Sequence, residues 1–109
     1  MIELKPGVRI HGITPEVVLA VHVAEGIWMK AGAPALVITA AIEGQHVEAS
    51  DHYAGTAIDL RTKNLPAGAL DATVKALQAA LGDDFYLLLE NRGGANEHLH
   101  VSWRPKAAY

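Results

Sequence analysis

The feature that most restricts how this chain can fold is a separation. Its chelating side chains fall into two clusters, Ser50-Asp51-His52-Tyr53-Ala54-Gly55-Thr56-Ala57-Ile58-Asp59-Leu60 and Glu97-His98-Leu99-His100, with a helical pattern between them. If the clusters act together, the strand that follows Gly55 must lie close to the segment carrying His100. The chain has no cysteine, so disulfides and thiolates are excluded, and any metal would be held by nitrogen and oxygen ligands.

At 109 residues the chain is read as a single domain, residues 1–109, long enough for one core and too short for two. Half of its residues are hydrophobic, 19% are charged and the mean hydropathy is +0.15. A chain this apolar can offset its ordering entropy by burial, so it is expected to fold. A net charge of −3 and a pI near 6.0 provide no positive field for nucleic acid or an anionic bilayer. No apolar run approaches the roughly 20 residues that cross a membrane. Met1-Ile2-Glu3-Leu4-Lys5-Pro6 does not read as a secretory signal, so the protein is expected to be cytoplasmic as synthesised.

Along the chain, Pro6-Gly7 marks a turn, and Val8-Arg9-Ile10 can make one edge strand at most. Thr14 as N-cap, Pro15 at the first helical position and Glu16 in the first turn open a helix expected to run to about Lys30 and to end at Gly32. Its predicted buried face is Val17, Val18, Val21, Ala24, Ile27 and Trp28. His22 in this helix is read as a packed or surface residue and His11 before it as a surface residue. Residues 35–41 read as a buried strand and residues 43–51 as a loop delivering His46 and His52. Over residues 56–61 alternation puts Ala57, Asp59 and Arg61 on one side and Ile58 and Leu60 on the other. A second helix is expected from about Ala67 to Leu81 and a strand over residues 84–90. A loop over residues 91–96 then leads to an antiparallel strand at Leu99–Trp103.

A catalytic zinc ion takes three protein ligands and keeps a fourth position for water, and without cysteine those ligands are imidazole and carboxylate. On a strand, His98 and His100 point to the same face, whereas on a helix they would diverge by about 200°. Glu97 would face away from them on a regular strand, so a role for it at the site requires the chain to be still leaving the Gly93-Gly94 loop there. Glu90 is either a partner to the site or a solvated strand-end charge.

The pattern Ser50, His52, Gly55, Ala57, Asp59, followed by Glu97 and His100 as Glu-x-x-His, resembles the zinc D-Ala-D-Ala carboxypeptidase and phage L-alanyl-D-glutamate endopeptidase family, within the hedgehog/DD-peptidase fold group. The resemblance covers roughly residues 35–104. It implies a small α+β fold with an antiparallel β-sheet and two main helices, and one zinc ion on His52, Asp59 and His100. It also implies Glu97 as general base and His98 in support near the scissile carbonyl. The implied activity is hydrolysis of a peptide bond in peptidoglycan stem peptides, as an endolysin or carboxypeptidase of a phage or bacterium. The protein would then be a monomer that reaches the wall by release or through another factor. Many family members carry a Tyr-Arg pair before the first ligand that binds substrate; here that region reads Ala40-Ala41-Ile42-Glu43-Gly44-Gln45-His46. His46, Ser50, Arg61 and Arg92 are the candidate substrate-binding residues. The alternative function is a non-catalytic, zinc-stabilised binding or virion module of the same fold, since fold does not fix function.

Overall fold

The computed structural model describes residues 1–43, 52 and 54–106. Among the described residues the elements run β1 (Ile2–Leu4), α1 (Pro15–Ala31), β2 (Leu36–Ala40), β3 (Ala57–Arg61), α2 (Leu70–Leu81), β4 (Phe85–Glu90) and β5 (His98–Trp103). The caps of α1 are those its sequence prescribes. Thr14 is extended, its hydroxyl accepts the Val17 N–H at 3.3 Å, and Pro15 follows at the first helical position. At the other end Gly32 takes the left-handed conformation, with φ 105°. Its N–H bonds the Met29 carbonyl at 3.1 Å and the Ala33 N–H bonds that of Trp28 at 3.0 Å, satisfying the last carbonyls of the helix.

The strands form one mixed sheet in the order β1-β2-β3-β5-β4. β2, β3, β5 and β4 are antiparallel to their neighbours, as expected, but β1 runs parallel to β2 and pairs Ile2 with Leu36 and Leu4 with Ile38. The wholly antiparallel expectation is thus corrected at one edge. The chain leaves β1, crosses by way of α1 and re-enters as β2 in the same direction, which is the connection a parallel pair needs. The edge strand also lies before Pro6-Gly7 and not on Val8-Arg9-Ile10. The latter stretch is tied down differently: the Arg9 N–H donates to the Glu43 carboxylate at 2.9 Å, and the Arg9 carbonyl accepts the Ile42 N–H at 3.1 Å.

Alternation then divides the sheet. Leu36, Ile38, Ile58, Leu60, Leu99 and Val101 are buried in one cluster with Val17, Val21, Ala24 and Trp28 of α1 and Leu77 of α2. Trp28 is fully buried, and its indole N–H donates to the Arg61 carbonyl at 3.1 Å, so its one polar atom is satisfied. Two details differ from the periodicity. Val18 is 41% exposed, and Ala20 takes its place on the buried face of α1. α2 starts at Leu70, not Ala67, because Gly68 adopts φ 81° in a turn closed by the Ala69 N–H on the Pro66 carbonyl.

Candidate functional site

The opposite face of the sheet carries the chelating residues. In the β3–β5 register Asp59 lies opposite His100 and Arg61 opposite His98, while in β4–β5 Leu88 lies opposite His100 and Glu90 opposite His98. Paired residues share a face. Asp59, Arg61, His98, His100 and Glu90 therefore project together, one pleat apart, from three adjacent strands.

His52 reaches them from outside the sheet. The turn that carries it closes through the Gly55 N–H on the His52 carbonyl at 3.1 Å, and the Gly55 carbonyl accepts the Thr14 N–H at 3.0 Å. Gly55 has φ 75°, and a Cβ there would lie 2.1 Å from the Gly12 carbonyl oxygen. The motif glycine is needed both for its left-handed backbone and for this contact with the segment that precedes α1. Beside β3 the ladder with β2 slips: Ile38 pairs with Leu60 but Ala40 with Asp59, a bulge around Thr39. Such bulges commonly stand next to functional sites, where they re-aim side chains.

Around Asp59 the donor atoms close in. His52 Nε2 lies 3.2 Å and His100 Nδ1 3.0 Å from Asp59 Oδ1. His52 Nδ1 is 2.8 Å from the Ala41 carbonyl. That oxygen can only accept, so in the neutral ring Nδ1 holds the hydrogen and Nε2 presents a lone pair to the carboxylate. One atom from each of His52, Asp59 and His100 lies within 4.8 Å of the others, a set that could hold a metal ion. The rings of His52 and His100 meet edge to face, with centroids 5.0 Å apart. His52 is almost wholly buried, and the Asp59 and His100 side chains are 13% and 12% exposed.

The electrostatics follow. Burial alone would raise the Asp59 carboxyl, but hydrogen bonds from His100 and His52, with the charge of His52 and His98, hold it far below the ordinary carboxylate range. For His52, burial favours the neutral ring, yet the hydrogen bond and charge of Asp59 outweigh it and the pKa is raised.

Asp59 and His98 also line an open cleft of about 330 Å³. Glu97 lies on its wall. β5 begins at His98, which leaves Glu97 in the turn leaving Gly93-Gly94, its N–H bonded to the Gly94 carbonyl at 3.2 Å. The Thr62 hydroxyl donates to Glu97 Oε1 at 2.5 Å and the Gly93 N–H to Oε2 at 2.8 Å. These bonds, Thr62 first, lower the Glu97 pKa, so the group is ionised near neutrality.

Of the candidate substrate-binding residues, Arg61 lines the cleft. Arg92 is not among the residues lining the cleft; its guanidinium bonds Asp71 of α2 at 2.8 Å on an exposed surface, while its charge helps to lower the Glu97 pKa. His46 and Ser50 lie outside the described residues. His11 and His22 are exposed. Two cationic cleft residues escaped sequence reasoning, Lys5 and Lys63. Lys63 continues the alternation of Asp59 and Arg61 and was legible that way. Lys5 had no such signal, since it arrives only because the Lys5 N–H extends the β1–β2 pairing to the Ile38 carbonyl at 3.0 Å.

Comparison with protein-family models, curated proteins and solved structures gives no match for this chain. Among the described residues no helix is long and apolar enough to cross a membrane.

Proposed function

We propose that the chain is a zinc peptidase that hydrolyses a peptide bond in peptidoglycan stem peptides, with the fold of the hedgehog/DD-peptidase group. The observation that carries this reading is the convergence of His52 Nε2, Asp59 Oδ1 and His100 Nδ1 from a turn and two neighbouring strands, beside a cleft bearing Glu97 and His98. Ligand atoms about 2.0–2.1 Å from a tetrahedral ion stand about 3.3–3.4 Å from one another. The separations of 3.2 and 3.0 Å from Asp59 Oδ1 are close to that edge. Two imidazoles and one carboxylate suit zinc and leave a coordination position for water or substrate. When bound, zinc supplies a Lewis acid and brings the pKa of a water to about 7.

The chain's own residues take the other parts. Glu97, ionised near neutrality, accepts a proton from the attacking water and returns it to the leaving amine, once the Thr62 hydroxyl yields its place on Oε1. His98 is oriented through Nδ1 by the Asn96 carbonyl at 2.7 Å, and its Nε2 edge offers positive charge where the carbonyl oxygen gains negative charge. Lys5, Arg61 and Lys63 bring three cationic side chains to the lining of the cleft, and stem peptides carry free carboxylates. These side chains answer the missing Tyr-Arg pair.

One observation favours the alternative of a non-catalytic zinc-stabilised module: both oxygens of Glu97 are already engaged by Thr62 and Gly93. Mass spectrometry of muropeptides digested with zinc-loaded protein separates the two readings. The peptidase reading expects new amino termini, abolished by a chelator. It also expects Glu97→Ala to keep one tightly bound zinc while losing turnover by about 100-fold or more, the scale of a positioned general base. Equal activity in wild type and Glu97→Ala would sink the assignment of Glu97.

A further inference from the structure

Beside the triad, on the same face, a second group of donor atoms converges. His98 Nε2 lies 3.2 Å from Glu90 Oε1 and 3.6 Å from Asp59 Oδ2, and Asp59, Glu90 and His98 each bring one ligand atom within 4.8 Å of the others. The register produces this group: Glu90 is directly opposite His98, and Asp59 is one pleat along the neighbouring strand. The two oxygens of Asp59 are thus divided, Oδ1 toward His52 and His100 and Oδ2 toward His98.

The tautomer of His98 sharpens the point. Its Nδ1 is 2.7 Å from the Asn96 carbonyl, which can only accept, so Nδ1 carries a hydrogen. In the neutral ring Nε2 is then a lone pair aimed at two carboxylates. Three acceptors facing one another require a cation among them, either a proton on Nε2 or a metal ion. A histidine that ligates a metal through one ring nitrogen almost always gives its other N–H to a carbonyl or carboxylate, and His98 is held in that way. The spacings of 3.2 and 3.6 Å also bracket the tetrahedral edge of about 3.3–3.4 Å.

We propose that Asp59, Glu90 and His98 bind a second divalent metal ion, with the Asp59 carboxylate bridging it to the ion held by His52 and His100. The proposal rests on the triad being a metal site, since the two share Asp59. Carboxylate-bridged pairs of ions are an established arrangement in hydrolytic sites. Two carboxylates with one imidazole make a harder ligand set than the triad, one that accepts manganese as well as zinc. The Glu90 side chain is 42% exposed, so its carboxylate must be ordered on binding, and the second ion is held more weakly than the first. Beside the cleft, this ion would take the place of the proton on His98 Nε2 and itself supply the positive charge that the peptidase reading calls for there.

The test uses the full-length protein stripped with a chelator and titrated with zinc, and separately with manganese, by calorimetry at pH 7.5, with bound metal counted by atomic spectroscopy. Two equivalents are expected in the wild type, with the manganese-loaded protein giving the exchange-coupled resonance of a paired centre. Glu90→Gln, at the end of the edge strand β4 with its side chain partly exposed, should keep the tight equivalent and weaken the second at least about tenfold, and His52→Ala should lose the tight one. A single equivalent in the wild type, unchanged in Glu90→Gln, overturns the second site and assigns the cation at His98 to a proton. Loss of both equivalents in a folded Glu90→Gln variant overturns it as well, by making Glu90 part of one site. No binding in the wild type overturns both this proposal and the reading of the triad.

Discussion

The two faces of this sheet are made by the same strands and have opposite characters. On one, Ile58, Leu60, Leu99 and Val101 meet α1 and α2 in an apolar cluster. On the other, Asp59, Arg61, His98 and His100 alternate with them, and the two histidines gather around the Asp59 carboxylate. The first face gains from removal of apolar surface from water, roughly 25 cal/mol per Å². The second presses imidazoles and a buried carboxylate together, an arrangement that costs stability unless a cation or proton balances it. The apolar core and the polar cluster are therefore separated by a single residue step along each strand, and each can be attacked without the other.

The largest effect should come from the apolar face. Trp28→Ala empties the middle of the core and strands the Arg61 carbonyl, so a loss of about 3–5 kcal/mol is expected in denaturant unfolding. Retention of wild-type stability would mean that α1 is not packed on the sheet as described. Next comes the hinge between the faces. Gly55→Ala forces a side chain into a left-handed backbone and against the Gly12 carbonyl, which should cost about 1–3 kcal/mol for the conformation alone. It should also weaken metal binding through His52, a coupled loss that Trp28→Ala at low denaturant would not share. Smaller is the cap of α1. Thr14→Ala removes the bond to the Val17 N–H and should cost about 1 kcal/mol, visible as a drop in Tm without change in metal stoichiometry.

The smallest effect, and the one that tests the polar face directly, is a pH dependence that changes sign with metal. In chelator-treated protein the folded His52 pKa lies above its ordinary 6.5. Its contribution is therefore fully present below that pH and is lost as pH rises through the folded value. The depressed Asp59 contributes above its unfolded value of about 3.9 and loses that contribution only in acid. Between pH 6 and 8 the metal-free protein should thus lose stability. Added zinc should gain stabilising power over the same range, because its histidine ligands must be neutral. Parallel Tm curves with and without zinc would contradict the assignment of His52 as a ligand.

How far the sequence disclosed this arrangement differs between the faces. The apolar one was legible because burial is periodic: the helix caps at Thr14 and Gly32 and the alternation through Ile58 and Leu60 are local signals, and the structure follows them. Its errors were local too. Val18 differs from Ala20 only in its angle to the sheet, and the Pro66–Gly68 turn delays α2. On the polar face, the family resemblance implied His52, Asp59 and His100 as a set, and their side chains do converge. What stayed hidden depended on long-range pairing. Neither the parallel β1–β2 contact that brings in Lys5 nor the register that sets Glu90 against His98 leaves a mark on the residues nearby. Nor did the sequence show that α2 presents Asp71 to Arg92 in an exposed ion pair.

β5 is bonded on both sides, by β3 and by β4, and over His98–Val101 it carries imidazoles and aliphatic groups in turn. A slip of one residue along either neighbour would send Leu99 and Val101 into water and push two histidines against Trp28 and Leu77. Hydrophobic strands of similar length without such residues can settle in more than one alignment. Here the histidines make any slip of β5 by one residue expensive, so the same polar residues also act in proofreading the register while the sheet assembles.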